Sequence, residues 1–247
     1  MLCRIYITKN LKILPDKIIK IYKERSMKRL KLKKIKIIAP LAHFKVPLQG
    51  KLQKTYNKPP ISSVVGILQN IFDEKIDDFI LGFTFNYKNI STEFNKIYKE
   101  VDGRENTYTN SRRFKGDNFI TEHLVDTELI IYTDIDKEIN LSETLVMGKT
   151  NYLATITNYE AGEFEEVYLI DKKGYGYNQW TDMNIKSGMP IRINTLTKFN
   201  SSKCAYDYKM ALVKNNKEFE YDKFYDENEE QNIFLWHWKE GEINAVR

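Results

Sequence analysis

The chain has 247 residues, of which 42% are hydrophobic and 30% charged, with a formal net charge of +5. That length suits one or two domains and is enough to bury a core without covalent staples. No apolar run approaches the ~18 residues of a spanning helix, and there is no Gly-X-Y period or long low-complexity tract, so an integral membrane protein, a collagen-like fibre and a largely disordered chain are not expected.

The charge is unevenly laid out. Residues 1–26 carry seven basic and two acidic residues, residues 27–58 ten basic and no acidic ones, and residues 59–247 22 basic and 32 acidic. A basic segment on an acidic body points to a local polyanion contact; the alternative is a solvated lysine-rich strand and loop. The two cysteines, Cys3 and Cys204, supply neither a disulfide framework nor a four-ligand zinc site, so a reducing, cytoplasmic compartment fits best.

In chain order, residues 1–26 form a weakly patterned extension interrupted by Pro15. Residues 16–25 make at most one short amphipathic helix, and no signal-peptide pattern is present. Lys23-Glu24-Arg25 can be encoded as AAGGAGAGA, which reads as a ribosome-binding site upstream of Met27, so translation starting at Met27 is one expectation and a basic arm the other. Residues 33–38 (KKIKII) alternate like a half-buried strand. A polar, basic loop runs from Lys45 to Lys58. Pro59 and Pro60 then open a helix whose Ile61, Val64, Val65, Leu68 and Phe72 share one face. Gly66 inside that helix costs ~1 kcal/mol of propensity, for which close approach of a neighbour would compensate.

Residues 79–87 read as a strand and 91–99 as a short helix. Residues 102–118 read as a long loop or hairpin arm, and 119–133 as two strand-like runs around Val125-Asp126-Thr127. Residues 151–158, 164–170, 189–199, 203–213 and 232–239 read as strands, and the glycines of 174–180 as a turn. The expected fold class is therefore α+β, a ferredoxin-like (RRM-like) N-terminal domain at 27–134 followed by a smaller β-rich C-terminal domain at 135–247.

No phosphate-loop, dinucleotide or nucleophile-elbow motif occurs, and His43, His123 and His237 stand far apart with no HExxH spacing. No metal and no cofactor are expected. The loop after His43 mixes what single-stranded RNA requires. Lys45, Lys51, Lys54 and Lys58 offer cations, while Gln53, Thr55 and Tyr56 offer polar tips and an aromatic face. Tyr108, Arg112, Arg113, Phe114 and Lys115 form a second basic–aromatic set. His43, Lys54 and Tyr56 would be the acid, base and charge stabiliser of a metal-independent ribonuclease if the loop folds back. His123 reads as a packed or hydrogen-bonded strand residue. His237 alternates with Trp236 and Trp238 and so points away from their aromatic core.

APLAHFKVP at 39–47, TYNKPPISSVVGIL at 55–68, EHLVDTELIIY at 122–132 and LVMGKTNYLATI at 145–156 together resemble the CRISPR-associated Cas-five family of the RAMP superfamily, in its subtype I-B branch. The pieces lie in family order, with Lys149 in the basic position of the last. The resemblance implies a subunit of Cascade, the complex guided by CRISPR RNA. Such a subunit holds the 5′ handle of the guide, caps the backbone and contacts backbone subunits and the large subunit. It also implies a thumb-like arm, best matched by 102–118. The RNA-binding candidates are then Lys45, Gln53, Lys54, Thr55, Tyr56, Arg112, Arg113, Lys115 and Lys149. Subtype I-B systems use a separate endonuclease, so the leading expectation is a non-catalytic RNA-binding subunit. The runner-up is a metal-independent endoribonuclease acting on precursor CRISPR RNA through His43, Lys54 and Tyr56. A third possibility is a purely structural protein with incidental basic loops.

Overall fold

The structure, a computed structural model, describes residues 29–47, 50–100, 114–138, 144–160, 163–202 and 204–246. The 1–26 extension, Arg112 and Arg113 lie outside them, as does most of the expected 102–118 arm. Residues 114–118 of that arm are strand.

The elements in chain order are β1 (Arg29–Ala42), β2 (Leu52–Gln53), α1 (Ile61–Phe72), β3 (Asp78–Glu100), β4 (Phe114–Thr133), β5 (Leu145–Val146), β6 (Leu153–Ile156), β7 (Tyr159–Glu160) and β8 (Glu163–Ile170). There follow β9 (Gly174–Thr181), β10 (Met189–Asn200), β11 (Ala205–Tyr221), β12 (Tyr225–Asp226), β13 (Gln231–Asn232), β14 (Leu235–Lys239) and β15 (Glu242–Ala245). A twelve-stranded sheet runs β13-β12-β8-β1-β4-β3-β14-β15, with β2, β5, β6 and β7 attached at its sides; β10-β11-β9 form a second sheet.

This corrects the expected fold class. Among the described residues there is one helix, and the architecture is a mostly antiparallel β-fold, not a ferredoxin-like α+β sheet carrying helices. The decisive departure is at 91–99, expected as helix and found inside the 23-residue strand β3. Ile90, Phe94 and Ile97 do fall at helical spacing. However, Asn89–Glu100 pair residue by residue with Phe114–Val125, and this tertiary ladder overrides a weak local preference in a segment that also holds the β-branched Ile90, Thr92 and Ile97. The glycines of 174–180 likewise sit in strand β9. A Cβ on Gly176 would stand 2.4 Å from the Phe219 ring, so this glycine serves close packing and not a turn.

The helix at 61–72 is present and buries Ile61, Val64, Val65, Ile67, Leu68, Ile71 and Phe72 against the sheets. Gly66 differs from expectation, since a Cβ there would meet nothing within 4 Å. On the α1 side of the large sheet, Ile35, Ile37, Phe83, Phe85, Leu129 and Ile131 share one core with Trp180, Val213, Phe219, Trp236 and Trp238. The opposite face carries a smaller cluster of Leu32, Ile130, Tyr132, Val167, Leu169, Ile233 and Leu235.

One irregularity matters for the site. Pro40, Lys88 and Asp126 drop out of the ladders on three adjacent strands, and Asp126 has φ 51. Proline has no N–H to offer, so the ladder lapses there. On the far side of this line the faces exchange. Even-numbered Ala42, Phe44 and Leu124 now join the α1-side core, and odd-numbered His43 and His123 turn to the other side.

Candidate nucleic-acid interface

The basic stretch is largely consumed by the fold. Lys31, Lys33, Lys34 and Lys36 of β1 pair with Glu166 at 2.7 Å, Asp136 at 2.8 Å, Glu229 at 2.6 Å and Glu128 at 2.7 Å. Lys34 also lies 3.4 Å from Asp226, which accepts the Tyr132 hydroxyl at 2.7 Å, so strand β1 is matched by the acids of its neighbours. Lys58 is 1% exposed. Its ammonium donates to Asn216 O at 2.7 Å and Gln179 O at 3.2 Å, 4.8 Å from the Trp180 ring centroid, and burial pushes its pKa down to about 7. Lys45, Lys51 and Lys54 are exposed, as is Arg29 at the start of β1.

These three lysines sit on a segment that folds back on itself. Lys45 bridges to Thr55, Val46 N donates to Lys54 O at 3.2 Å, and Tyr56 N to Phe44 O at 2.8 Å. The segment then runs beside β4, with Leu52 opposite Ile120 and Gln53 opposite Thr121. The Thr55 hydroxyl accepts from Phe44 N and donates to Tyr56 O, so it is committed to the chain. Tyr56 sets its ring edge-on to Trp180 at 6.5 Å, and burial raises its pKa.

On the other side of the β1–β4 end, four segments meet. His43 follows β1 and donates from Nδ1 to Glu122 O at 2.7 Å, which leaves Nε2 buried with a lone pair and no protein partner. His123 of β4 lies beside it, ring centroids 6.1 Å apart. Its Nε2 donates to Glu93 Oε2 of β3 at 3.1 Å, and its Nδ1 accepts the Tyr152 hydroxyl at 2.6 Å. Lys149 holds its ammonium 5.7 Å from the Tyr152 ring centroid. The turn that presents Lys149 and Tyr152 is closed by Met147 N to Tyr152 O and Tyr152 N to Lys149 O, and is tied to β1 by His43 N to Met147 O. Gly148, at φ +89, makes this approach possible, since a Cβ there would stand 2.0 Å from His43 O.

The electrostatics follow from this packing. Burial first, then the positive charge of Lys149, holds the His123 pKa below its usual value. Burial dominates at His43 as well, against the raising effect of its bond to Glu122. Lys149 is itself lowered by burial and by Lys45. His43 is 2% exposed, His123 4% and Tyr152 7%. Both imidazoles are therefore neutral and enclosed, while Lys45, Lys149 and Gln53 stand at or near the surface around them.

Of the residues expected from sequence, the structure gathers His43, Lys45, Gln53, Lys54, Thr55 and Lys149 around the end of β1 and β4. The Tyr56 ring goes to Trp180 and the His43 ring to His123, so these two members of the His43–Lys54–Tyr56 set turn to different neighbours. The backbone of Lys115 pairs with Lys99 in the β3–β4 hairpin. Glu93 and Tyr152 escaped the sequence reading. Glu93 was hidden in the expected helix, whereas the strand alternation placing His43 and His123 side by side was available once β1 and β4 were paired.

No family model and no curated protein matches the chain in sequence. Among solved structures, 21 chains match. One belongs to a "CRISPR RNA-guided surveillance complex", at 8% identity and a TM-score of 0.44, with 80% of this chain and 92% of that chain covered. Two belong to the Type III-B Cmr-beta complex bound to cognate target RNA. The copy that also holds AMPPnP has a TM-score of 0.46 and 11% identity, the other 0.45 and 12%, and both cover 77% of this chain and 86% of that chain.

Proposed function

We propose that this chain is a non-catalytic RNA-binding subunit of a CRISPR surveillance complex that holds the 5′ handle of the guide RNA and caps the complex backbone. One observation carries the reading. The four segments that resemble the Cas-five family, at 39–47, 55–68, 122–132 and 145–156, converge on one end of the sheet, although 79 positions separate His43 from Glu122 in sequence. There they surround a group of cations at or near the surface. Lys45, Lys54 and Lys149 supply phosphate contacts, and Gln53 a base-edge partner.

Enclosure of the imidazoles argues against cleavage. A general acid or base must come within hydrogen-bond reach of the transferred proton, and both rings are packed under the 145–156 turn with Nδ1 of each, and Nε2 of His123, already bonded. The grouping of two imidazoles, a phenol and an ammonium nevertheless favours a second reading as a metal-independent endoribonuclease, since such side chains can supply acid, base and charge stabiliser themselves.

Fluorescence polarisation of a labelled single-stranded RNA carrying a repeat-derived 5′ handle tests the first reading. Each of Lys45→Ala, Lys54→Ala and Lys149→Ala is expected to reduce the slope of log affinity against log salt by ~0.7–0.9, because each removes one phosphate contact. Unchanged slopes in all three refute it. Cleavage of repeat RNA at a fixed site in EDTA, lost in His123→Ala, would establish the nuclease instead.

A further inference from the structure

We infer that the outer half of the β3–β4 hairpin carries a base-stacking platform for single-stranded RNA, centred on Phe94; this rests on the RNA-binding reading above. Beyond the Pro40–Lys88–Asp126 line, the face that faces α1 nearer the sheet centre runs out from under its cover. Phe94 is 66% exposed, and Ile120 and Leu52 are 44% and 42% exposed. The three are neighbours in register, with Phe94 opposite Ile120 on β4 and Ile120 beside Leu52 on β2. They form one apolar patch with a flat ring at its outer side.

The surrounding charge selects the occupant. Leu52 lies between Lys51 and Lys54, in the stretch from 27 to 58 that holds no acid. Lys96 follows Phe94 by two positions and so shares its face. Glu122, an acid on this face, is engaged by Thr55 N. An aromatic plane bracketed by ammonium groups matches a nucleotide strand, in which a base stacks on the ring and the flanking phosphates meet the cations. The opposite face of the hairpin carries Glu93, His123 and, beside them, Lys149, so the Phe94 ring is distinct from the contacts proposed there, and Lys54 is the cation that both share.

The test uses the full chain. The three native tryptophans, Trp180, Trp236 and Trp238, are buried, so the added emission of a Phe94→Trp variant reports position 94 alone. Titration with single-stranded oligoadenylate is expected to quench that emission saturably. Phe94→Ala and Phe94→Leu are expected to bind the same RNA about 5- to 150-fold more weakly, with the salt slope unchanged because no phosphate contact is lost. Phe94 lies outside both core clusters, so these variants should melt like the wild type. If the wild type binds RNA, Phe94→Ala binds equally and the added emission of Phe94→Trp does not move, the platform is refuted and the RNA-binding reading stands. Loss of assembly with partner proteins at unchanged RNA affinity also refutes it, because the patch is then a protein interface. A wild type that binds no RNA refutes both.

Discussion

Gly148→Ala tests whether the 145–156 turn is locked to β1 as the geometry requires. Two costs add. The backbone at φ +89 lies where L side chains are strained, which costs of order 1–3 kcal/mol. The new Cβ would also stand 2.0 Å from His43 O and 2.9 Å from His43 C, backbone atoms that cannot rotate away. Relief requires the turn and β1 to part by more than about 1 Å, breaking the bond from His43 N to Met147 O at a further ~0.5–1.5 kcal/mol. The expected destabilisation is about 2–4 kcal/mol. At roughly 2–4 °C per kcal/mol for a chain of this size, melting should fall by about 4–16 °C. Differential scanning calorimetry measures the fall, and polarisation with handle RNA should show weakened binding, since Lys149 moves with the turn. A melting temperature within ~2 °C of wild type would show that the turn does not bear on His43 and would remove the basis for placing Lys149 beside the two histidines.

Gly66→Ala should stabilise by up to ~1 kcal/mol, because the site is helical and its Cβ meets open space; a destabilised variant in thermal melts would show that an unseen neighbour needs the gap. His43 and His123 have their pKa values lowered in the fold from the ordinary 6.5, so the unfolded chain binds more protons once pH drops towards and beneath that value, and stability should fall as pH is lowered from ~7 through the window below 6.5. Urea melts across that window should show a shallower decline in a His123→Gln variant, and an equal decline would assign the loss to other groups. Lys58 has its folded pKa lowered from 10.5 to about 7, so the unfolded chain holds the extra proton between those values and stability should rise with pH from ~7 towards 10. Lys58→Met should abolish that rise, and a rise that persists in the variant would place its origin elsewhere.

Much of the local structure was legible in the sequence. The alternation of 33–38, the helix opened by Pro59 and Pro60, and the outward turn of His237 between two buried tryptophans all follow from short-range pattern, and His237 does meet Asp78 at 2.5 Å. The fold class was not legible, because residues 91–99 carry helical spacing and strand chemistry at once, and only pairing with 114–125, beyond any local window, decides between them. Charge was legible in amount but not in use. Ten basic residues in 27–58 suggested a cationic stripe, yet the acids that match the β1 lysines come from positions 128, 136, 166, 226 and 229, and the burial of Lys58 depends on carbonyls at 179 and 216. The same holds for the site. His43 and His123 become neighbours only because β1 and β4 pair antiparallel in the register that sets Ala42 against Leu124, and the lapse at Pro40 and Asp126 then turns both rings away from the apolar core and towards Tyr152. A one-residue slip in that register would break the pairing of His43 with His123 and turn an imidazole away from Tyr152 and Glu93. The candidate interface is thus a property of strand register more than of any motif: His43, Lys45, Gln53 and Lys149 were legible one segment at a time, but their meeting with His123, Glu93 and Tyr152 was not.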